Sequence, residues 1–495
     1  MKKLVYTISI LLIACSAFAQ DLTDALRFSN YHIRGTARSA AMGNAFGALG
    51  GDFSSLSINP AGAGVYRSGE FSLTPSFGQT SIDGTYRGNT VSDSKYNMGL
   101  ESLGFVSTYP TGENSESGLV SINFGVGFNK LGSFTMSSLA EGYDSNNSLL
   151  TYFTEYANNN NVSSDNLDPY YERLAWETDL LLYDEDNQEY FNDISDAGYG
   201  QSQRNTIDRR GYINEYVLSV AANFNHKFYL GATLGIHDVY FKENADLYEW
   251  DANDNIPYFN NFNFNTFLKQ TGSGVNFKIG AIFKPIEQLR LGVAFHTPTF
   301  YKFTEVYDGG MRSSMTYEDE GVVETTAYPD REGTFEYEIE TPMKAILSGA
   351  LVLGKSGLIS VDYEMVDYST AKIKSIGEGN YFDENTNITK AYKTVGNLHV
   401  GGELRLNKNF SLRGGYEYFP SAYKASYQDV ANPNTDASFS TFSGGFGFRQ
   451  GNVFFDAAFK QVVDTESVKF HPGAINMAKY ETTQNNVIFT LGYKF

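Results

Sequence analysis

Leu398, Val400, Gly402, Leu404 and Leu406 fall on one side of an extended chain, and His399, Gly401, Glu403 and Arg405 on the other. After a three-residue break the pattern resumes, with Phe410, Leu412, Gly414, Tyr416 and Tyr418 opposite Ser411, Arg413, Gly415 and Glu417. Period two with one apolar side marks a β-strand whose two faces meet different surroundings. Val120 to Asn129 and Thr441 to Arg449 repeat it. Fourteen strand segments are expected, near 69–83, 98–110, 117–130, 212–226, 227–243, 262–284, 288–304, 334–354, 357–372, 394–406, 409–422, 437–449, 452–467 and 485–495.

A soluble sandwich shares this alternation, so connection length decides. Short connections (Asn225–Lys227, Lys284–Gln288, Gly354–Gly357, Asn407–Asn409, Gln450–Asn452) alternate with long ones at 131–211, 305–333, 373–393 and 468–484. Transmembrane up-and-down barrels have short turns at one rim, long loops at the other and an even strand number. The expected fold is therefore all-β: a 14-stranded antiparallel transmembrane β-barrel over 69–495, with its large extracellular loop at 131–211. The 35 Tyr and 38 Phe suit the aromatic girdles of such barrels. After the first residues no run of eighteen apolar residues suggests a transmembrane helix. A net charge of −20 argues against nucleic-acid partners, which call for Lys and Arg.

The chain opens with Lys2 and Lys3, an apolar core from Leu4 to Ala14, and the small-x-small site Ala17-Phe18-Ala19, which together read as a signal peptide over 1–19. Leu12-Ile13-Ala14-Cys15 also resembles a lipoprotein box, the alternative being a lipid on Cys15. Cys15 is the one cysteine, so cleavage after Ala19 removes thiolate chemistry and disulfides from the mature chain.

Residues 20–68 precede the strands. Gly35 to Tyr66 is dense in Gly, Ala and Ser, with Thr36 to Leu49 expected to be helical and Asn59-Pro60-Ala61 to form a tight turn. Small residues permit close backbone approach, so the stretch reads as a plug, or hatch, packed inside the barrel. Pro60 stiffens the turn and the Asn59 side chain can satisfy nearby backbone, which makes Asn59, Pro60 and Ala61 the expected gating motif.

The stretch GTARSAAMGNAFGALGGDFSSLSINPAG, the strand count and the aromatic end of the chain together resemble the FadL/TodX family of outer-membrane transporters for long-chain fatty acids and aromatic hydrocarbons. The resemblance implies an outer-membrane location, a hatch that plugs the lumen, passive uptake of a hydrophobic small molecule, and lateral release through a kink in the third strand. Gly125 and Gly127 lie on that strand and are the candidate kink. Tyr493 and the terminal Phe495 resemble the recognition signal of the barrel assembly machinery. A monomer embedded in outer-membrane lipid is expected. The chain departs from the family archetype in placing its largest loop after the third strand. Leu149, Tyr152, Phe153 and Tyr156, and then Tyr171, Leu174 and Ala175, have helical spacing there, either as a capture groove or as the loop's own core.

Glu403, Arg405, Arg413, Glu417, Arg449 and Lys460, with Asp362, Glu364 and Asp456, fall on the inward side of neighbouring strands and are candidate lumen charges. No nucleophile–base set and no phosphate loop is visible, so no enzyme, cofactor or metal is expected. The acidic run Tyr183 to Glu189 reads as a solvated loop, with calcium the alternative. Two other functions stay open: a non-transporting subunit of an outer-membrane secretion or assembly complex, and haem capture through His237, His296 and His399.

Overall fold

The last strand of the chain pairs antiparallel with the first, from Glu70 opposite Lys494 to Thr85 opposite Lys479, and so closes a 14-strand barrel. The computed structural model describes residues 22–111, 118–376, 384–427 and 437–495; the signal-peptide segment and Cys15 lie outside them. The strands are β1 (Glu70–Tyr86), β2 (Asn89–Pro110), β3 (Leu119–Ser133, continued by Met136–Gly142), β4 (Ser202–Phe224), β5 (Phe228–Trp250), β6 (Phe259–Phe283) and β7 (Leu289–His296, continued by Phe300–Tyr317). They continue with β8 (Gly333–Glu340 and Lys344–Leu353), β9 (Gly357–Asp367), β10 (Thr394–Arg405), β11 (Phe410–Phe419), β12 (Phe439–Gln450), β13 (Val453–Val468) and β14 (Ala478–Lys494).

Alternation sets the faces. Ile279, Leu291, Leu347, Ile359 and Leu412 point outward and are 46–56% exposed, while Glu403, Glu417 and Lys278 on the same sheet point in and are buried. An outward apolar band around a closed ladder matches a lipid surround, because the closed barrel leaves no unpaired strand edge in hydrocarbon.

Every expected segment lies in a strand, yet several strands run further than the pattern shows. Residues 84–97, expected to connect, instead form one hairpin with Arg87 and Gly88 at its tip, both at positive φ, as a two-residue hairpin turn requires. The alternation of short and long connections therefore fails at this first one. Strands also take up residues of the long connections, so the loop after β3 spans 143–201 and not 131–211, and the one before β14 only 469–477. The reason is physical: β4, β5 and β6 have 23, 23 and 25 residues, far more than the 9–11 that cross hydrocarbon, and their outer halves see water on one face and protein on the other. Apolar side chains are not selected there, so the alternation fades.

The interior is filled in tiers. Residues 29–68 occupy the half of the lumen near the rim that holds Gly69 and Phe495, and helix α1 (Leu22–Arg27) with Phe28 occupies the half beyond it. Phe28 stacks on Phe303 (4.4 Å between centroids) and meets Phe241 and Phe134 edge-on. Over the far rim, loop helices α2 (Leu149–Asn159) and α3 (Glu172–Glu177) bury Leu149, Phe153, Leu174 and Ala175 against Phe262, Phe264 and Met311 of the strand extensions. These residues form the loop's own core together with the strand tops. The acidic run closes a small hairpin in which the Asp184 carboxylate accepts from Asp186 N and both Asn187 N and Nδ2. Its oxygens are satisfied by the turn itself.

Candidate functional site

The site is the seat of the hatch. Between Thr36 and Tyr66 the chain makes only short helical pieces, Ala37–Ala41, Ser55–Ile58 and the 3₁₀ turn Pro60–Val65, so the expected long helix over Thr36 to Leu49 stops early. Gly43 and Asn44 follow at positive φ, which ends the helix. Short pieces leave many backbone groups without intrahelical partners, and inside a barrel water does not supply them. Side chains of the wall do.

Asn59 is fully buried. Its Oδ1 accepts from Ala61 N (3.1 Å), capping the 3₁₀ turn that starts at Pro60, and its Nδ2 donates to Gly47 O (2.6 Å) with Ala281 O and Val293 O at 3.2 and 3.3 Å. One side chain thus joins two hatch segments to β6 and β7. The wall there is stripped of side chains: a Cβ on Gly280 would lie 1.9 Å from Asn59 Oδ1, and one on Gly231 would lie 2.3 Å from the Pro60 carbonyl carbon.

Around this point a polar ring serves the same chain. Asn123 Nδ2 donates to Ala63 O (2.6 Å), Asn129 Nδ2 to Ser57 Oγ (2.8 Å), Thr233 Oγ1 to Leu56 O (3.1 Å), Lys278 Nζ to Ser57 O (3.2 Å) and His296 Nε2 to Ile58 O (2.9 Å). Lys278 is held by an ion pair to Glu215, which also faces His237 at 3.1 Å. On the opposite wall Asp362 accepts from Gly47 N (2.7 Å), Glu417 from Asn44 Nδ2 (2.7 Å) and Gly43 O from His399 (3.0 Å). A small cavity of about 50 Å³, touched by Tyr31, His32, Lys278 and Glu364, is left between hatch and wall.

The expected lumen charges divide into two groups. Glu403 pairs with Arg413 (2.9 Å) on the neighbouring strand and with Arg38 of the hatch (3.1 Å); Arg413 reaches Asp456 (2.6 Å), and Lys460 reaches Glu417 (2.8 Å). Arg405, exposed where β10 ends, still reaches Glu403 at 3.6 Å from the rim, whereas Arg449, exposed where β12 ends, has no carboxylate at ion-pair distance among the described residues. The three histidines are dispersed, His296 and His399 on hatch carbonyls and His237 between Tyr301 and Glu215. Among the described residues no group of three His, Cys, Asp or Glu could hold a metal ion.

Gly125 and Gly127 lie in unbroken ladders on both sides, opposite Val106 and Gly104 on β2. Their missing side chains make room for the hatch, since a Cβ would meet Leu56 at 2.3 Å from Gly125 and Phe53 at 2.5 Å from Gly127. The irregularities of β3 fall on either side of them, at Leu119/Ser121 and Lys130/Gly132, and pairing between β2 and β3 stops at Ser102–Asn129. Beyond it β2 (residues 89–101) and the outer part of β3 meet through side chains: Asn89 on Glu141 O, Ser137 on Asp93, and Lys95 reaching over to Asp208 of β4. The apolar filling of the upper lumen, through Leu131, Phe134 and Ile213, abuts this seam.

The family model for outer membrane protein transport proteins (OMPP1/FadL/TodX) matches residues 195–495, more than half of the sequence. The chain belongs to this family. A FadL homologue from Pseudomonas aeruginosa superposes over 94% of this chain and 99% of its own at 14% identity, TM-score 0.54. A TodX deletion mutant described as a monoaromatic hydrocarbon channel covers 94% of this chain and 100% of its own at 14% identity, TM-score 0.52. At that identity the likeness is one of fold. No curated protein matches the sequence. Membership places this FadL/TodX-family barrel in the outer membrane, within a transport family and not an enzymatic one. The rim with Gly69 and Phe495 carries the short turns, and loop 143–201 caps the other rim.

Of the sequence-selected residues, Asn59, Pro60, Ala61, Glu403, Arg413, Glu417 and Lys460 come together at the hatch seat. Tyr493 and Phe495 lie apart at the barrel's closing edge, with Phe495 N donating to Gly69 O (3.0 Å) and its ring stacked on Phe105. Lys278, Asn123, Asn129 and Thr233 join them at the seat, outside the candidates that the sequence marks. Their sign was present as polar residues at inward positions of otherwise apolar strands, but only the fold shows that the hatch backbone is what they bind.

Proposed function

We propose that this barrel admits a hydrophobic small molecule, such as a long-chain fatty acid, by passive diffusion, with the hatch as gate and the β2–β3 seam as lateral exit. The observation that carries the reading is the continuity between the aromatic filling of the upper lumen, at Phe28, Phe134 and Phe241, and the stretch of wall where backbone pairing ends. An apolar ligand replacing Phe28 would keep the same ring contacts, and lipid would receive it through a seam crossed by side chains alone. Backbone ladders resist opening because each unpaired group in hydrocarbon costs several kcal/mol, about 2–7 depending on the reference. Side-chain contacts across the seam can break one at a time. The barrel acts as a single chain, and the concentration gradient together with binding affinity supplies the drive.

The test locks the gate reversibly. Ser57 and Asn129 touch at 2.8 Å across the hatch–wall boundary, and cleavage after Ala19 leaves no native thiol to interfere. The double variant Ser57→Cys/Asn129→Cys, bridged by a short methanethiosulfonate linker, is expected to stop uptake of a fluorescent fatty acid in reconstituted vesicles, and reductant to restore it. Unchanged uptake with the bridge intact would refute hatch gating.

A further inference from the structure

Beneath the hatch lies a chamber of about 950 Å³, open to the rim with Gly69 and Phe495 and lined by hatch residues, two short turns and the ends of several strands. Nine Lys and Arg line it against four Asp and Glu. That balance is the reverse of the whole chain, which carries 37 basic and 57 acidic residues. Roughly a quarter of all the cations are therefore gathered at this one mouth.

The four carboxylates are already engaged at the ceiling. Glu403 serves Arg38 and Arg413, Asp456 serves Arg413, Glu70 pairs with Lys494 (3.0 Å), and Asp52 accepts from Thr36 Oγ1 and Ser54 N. Arg67, Arg290, Lys355, Lys408 and Arg449 have no carboxylate at ion-pair distance among the described residues. They come from five different places: the end of the hatch, the start of β7, the β8–β9 turn, the β10–β11 turn and the end of β12. Arg290 donates one Nη1 bond to Leu49 O (2.7 Å), while its buried Nε has no acceptor.

Cations scattered on a convex face repel weakly and are screened by water. Gathered in a concave chamber with low-dielectric walls, they focus a positive potential and raise the local concentration of anions. Arginine guanidinium is matched in shape to carboxylate and phosphate oxygens. A volume of this size takes a small molecule or the head of an amphiphile, and not a folded partner. We infer that the chamber is a binding site for an anionic group, a phosphate or a carboxylate, held below the hatch by Arg67, Arg290, Lys355, Lys408 and Arg449. It requires no transport step, since the chamber is open to its rim with the hatch in place.

The experiment uses the full barrel in an uncharged detergent at low ionic strength, with inorganic phosphate, decanoate and neutral decanol as probes in calorimetry. The variant Lys355→Gln/Lys408→Gln/Arg449→Gln alters only exposed side chains outside the hatch contacts. Both anions are expected to bind the wild type, more weakly as salt is raised. The variant is expected to lose about tenfold in affinity for both, the scale of a few charge-assisted contacts at a solvent-facing site. Decanol binding, if seen, should be the same in both proteins. Decanoate binding more than about tenfold tighter than phosphate would assign the chamber to the head of an amphiphile; comparable affinities would assign it to a free small anion. The inference is overturned if the wild type binds neither anion at low salt, or if the variant keeps wild-type affinity for both.

Discussion

Replacing Asn59 with Ala removes a side chain that ties two hatch segments to the wall. Its loss strips the cap from the turn at Pro60–Val65, which costs about 1 kcal/mol for a typical N-cap. It also leaves the Gly47 carbonyl, now bonded at 2.6 Å, without its donor in a buried site, a penalty of about 1–3 kcal/mol. The longer contacts to Ala281 O and Val293 O add little, because both carbonyls also have wall partners in the β6–β7 ladder. The closed hatch should therefore lose about 2–4 kcal/mol, a shift of roughly 30- to 1,000-fold in the ratio of seated to unseated hatch. The wall should not change, since every ladder flanking Gly280 and Gly231 remains. Expected readouts are more frequent openings in planar-bilayer recordings, faster uptake of a hydrophobic fluorescent probe, and a normal yield of heat-modifiable folded barrel. Asn59→Asp should open the gate too, because it keeps the capping oxygen and sets a carboxylate against three carbonyl oxygens. Wild-type conductance and uptake in both variants would refute the role given to Asn59. A loss of folded barrel in both would show that the motif is needed for folding and not for gating.

Other outcomes follow from the same geometry. Leu347 faces outward midway along the membrane-crossing part of β8, so Leu347→Arg should destabilise the folded barrel by about 2–4 kcal/mol, whereas Leu404→Arg beside the short β10–β11 turn should cost about 0–1 kcal/mol; urea titration in detergent gives the order, and the reverse order would reject the facing. Deleting Phe495 removes its bond to Gly69 and its stack on Phe105 and should slow insertion into the outer membrane without affecting export, as a pulse-chase of the folded form would show. In the cap formed by loop 143–201, burial pushes the Glu172 carboxyl from 4.5 up to about 7, so the fold prefers its protonated form. Stability of the cap should thus fall as pH rises from 4.5 to about 7 and level off above, seen as faster protease cleavage within 143–201 at pH 8 than at pH 5; Glu172→Gln should remove the difference.

Much of this architecture could be read from single residues. Wherever a strand crosses hydrocarbon, every second side chain must be apolar, so Leu398 to Leu406 and Phe410 to Tyr418 declare their faces and the turn between them. Inward charges on adjacent strands announce their partners, as Glu403 and Arg413 do. Outside the bilayer that compulsion ends, and the hairpin over 84–97 and the outer parts of β3 and β4 leave no such trace. Arg449 looks like a member of the ladder because alternation records which side a residue faces and not how high it sits in the wall. The third partner of Glu403, Arg38, lies 365 residues away in the chain, and nothing local links the two. Small residues in Gly35 to Tyr66 signal close packing, and Asn59-Pro60-Ala61 signals a turn. That Asn59 meets Gly280, that Gly125 and Gly127 admit Leu56 and Phe53, and that β2 and β3 part beyond Asn129 were decided by strand register around a closed barrel. Register is a property of the whole ring, since each strand's position depends on all the others closing at β1 and β14. The face of a residue is settled by its immediate neighbours; its partner across the lumen is settled only when the ring is complete.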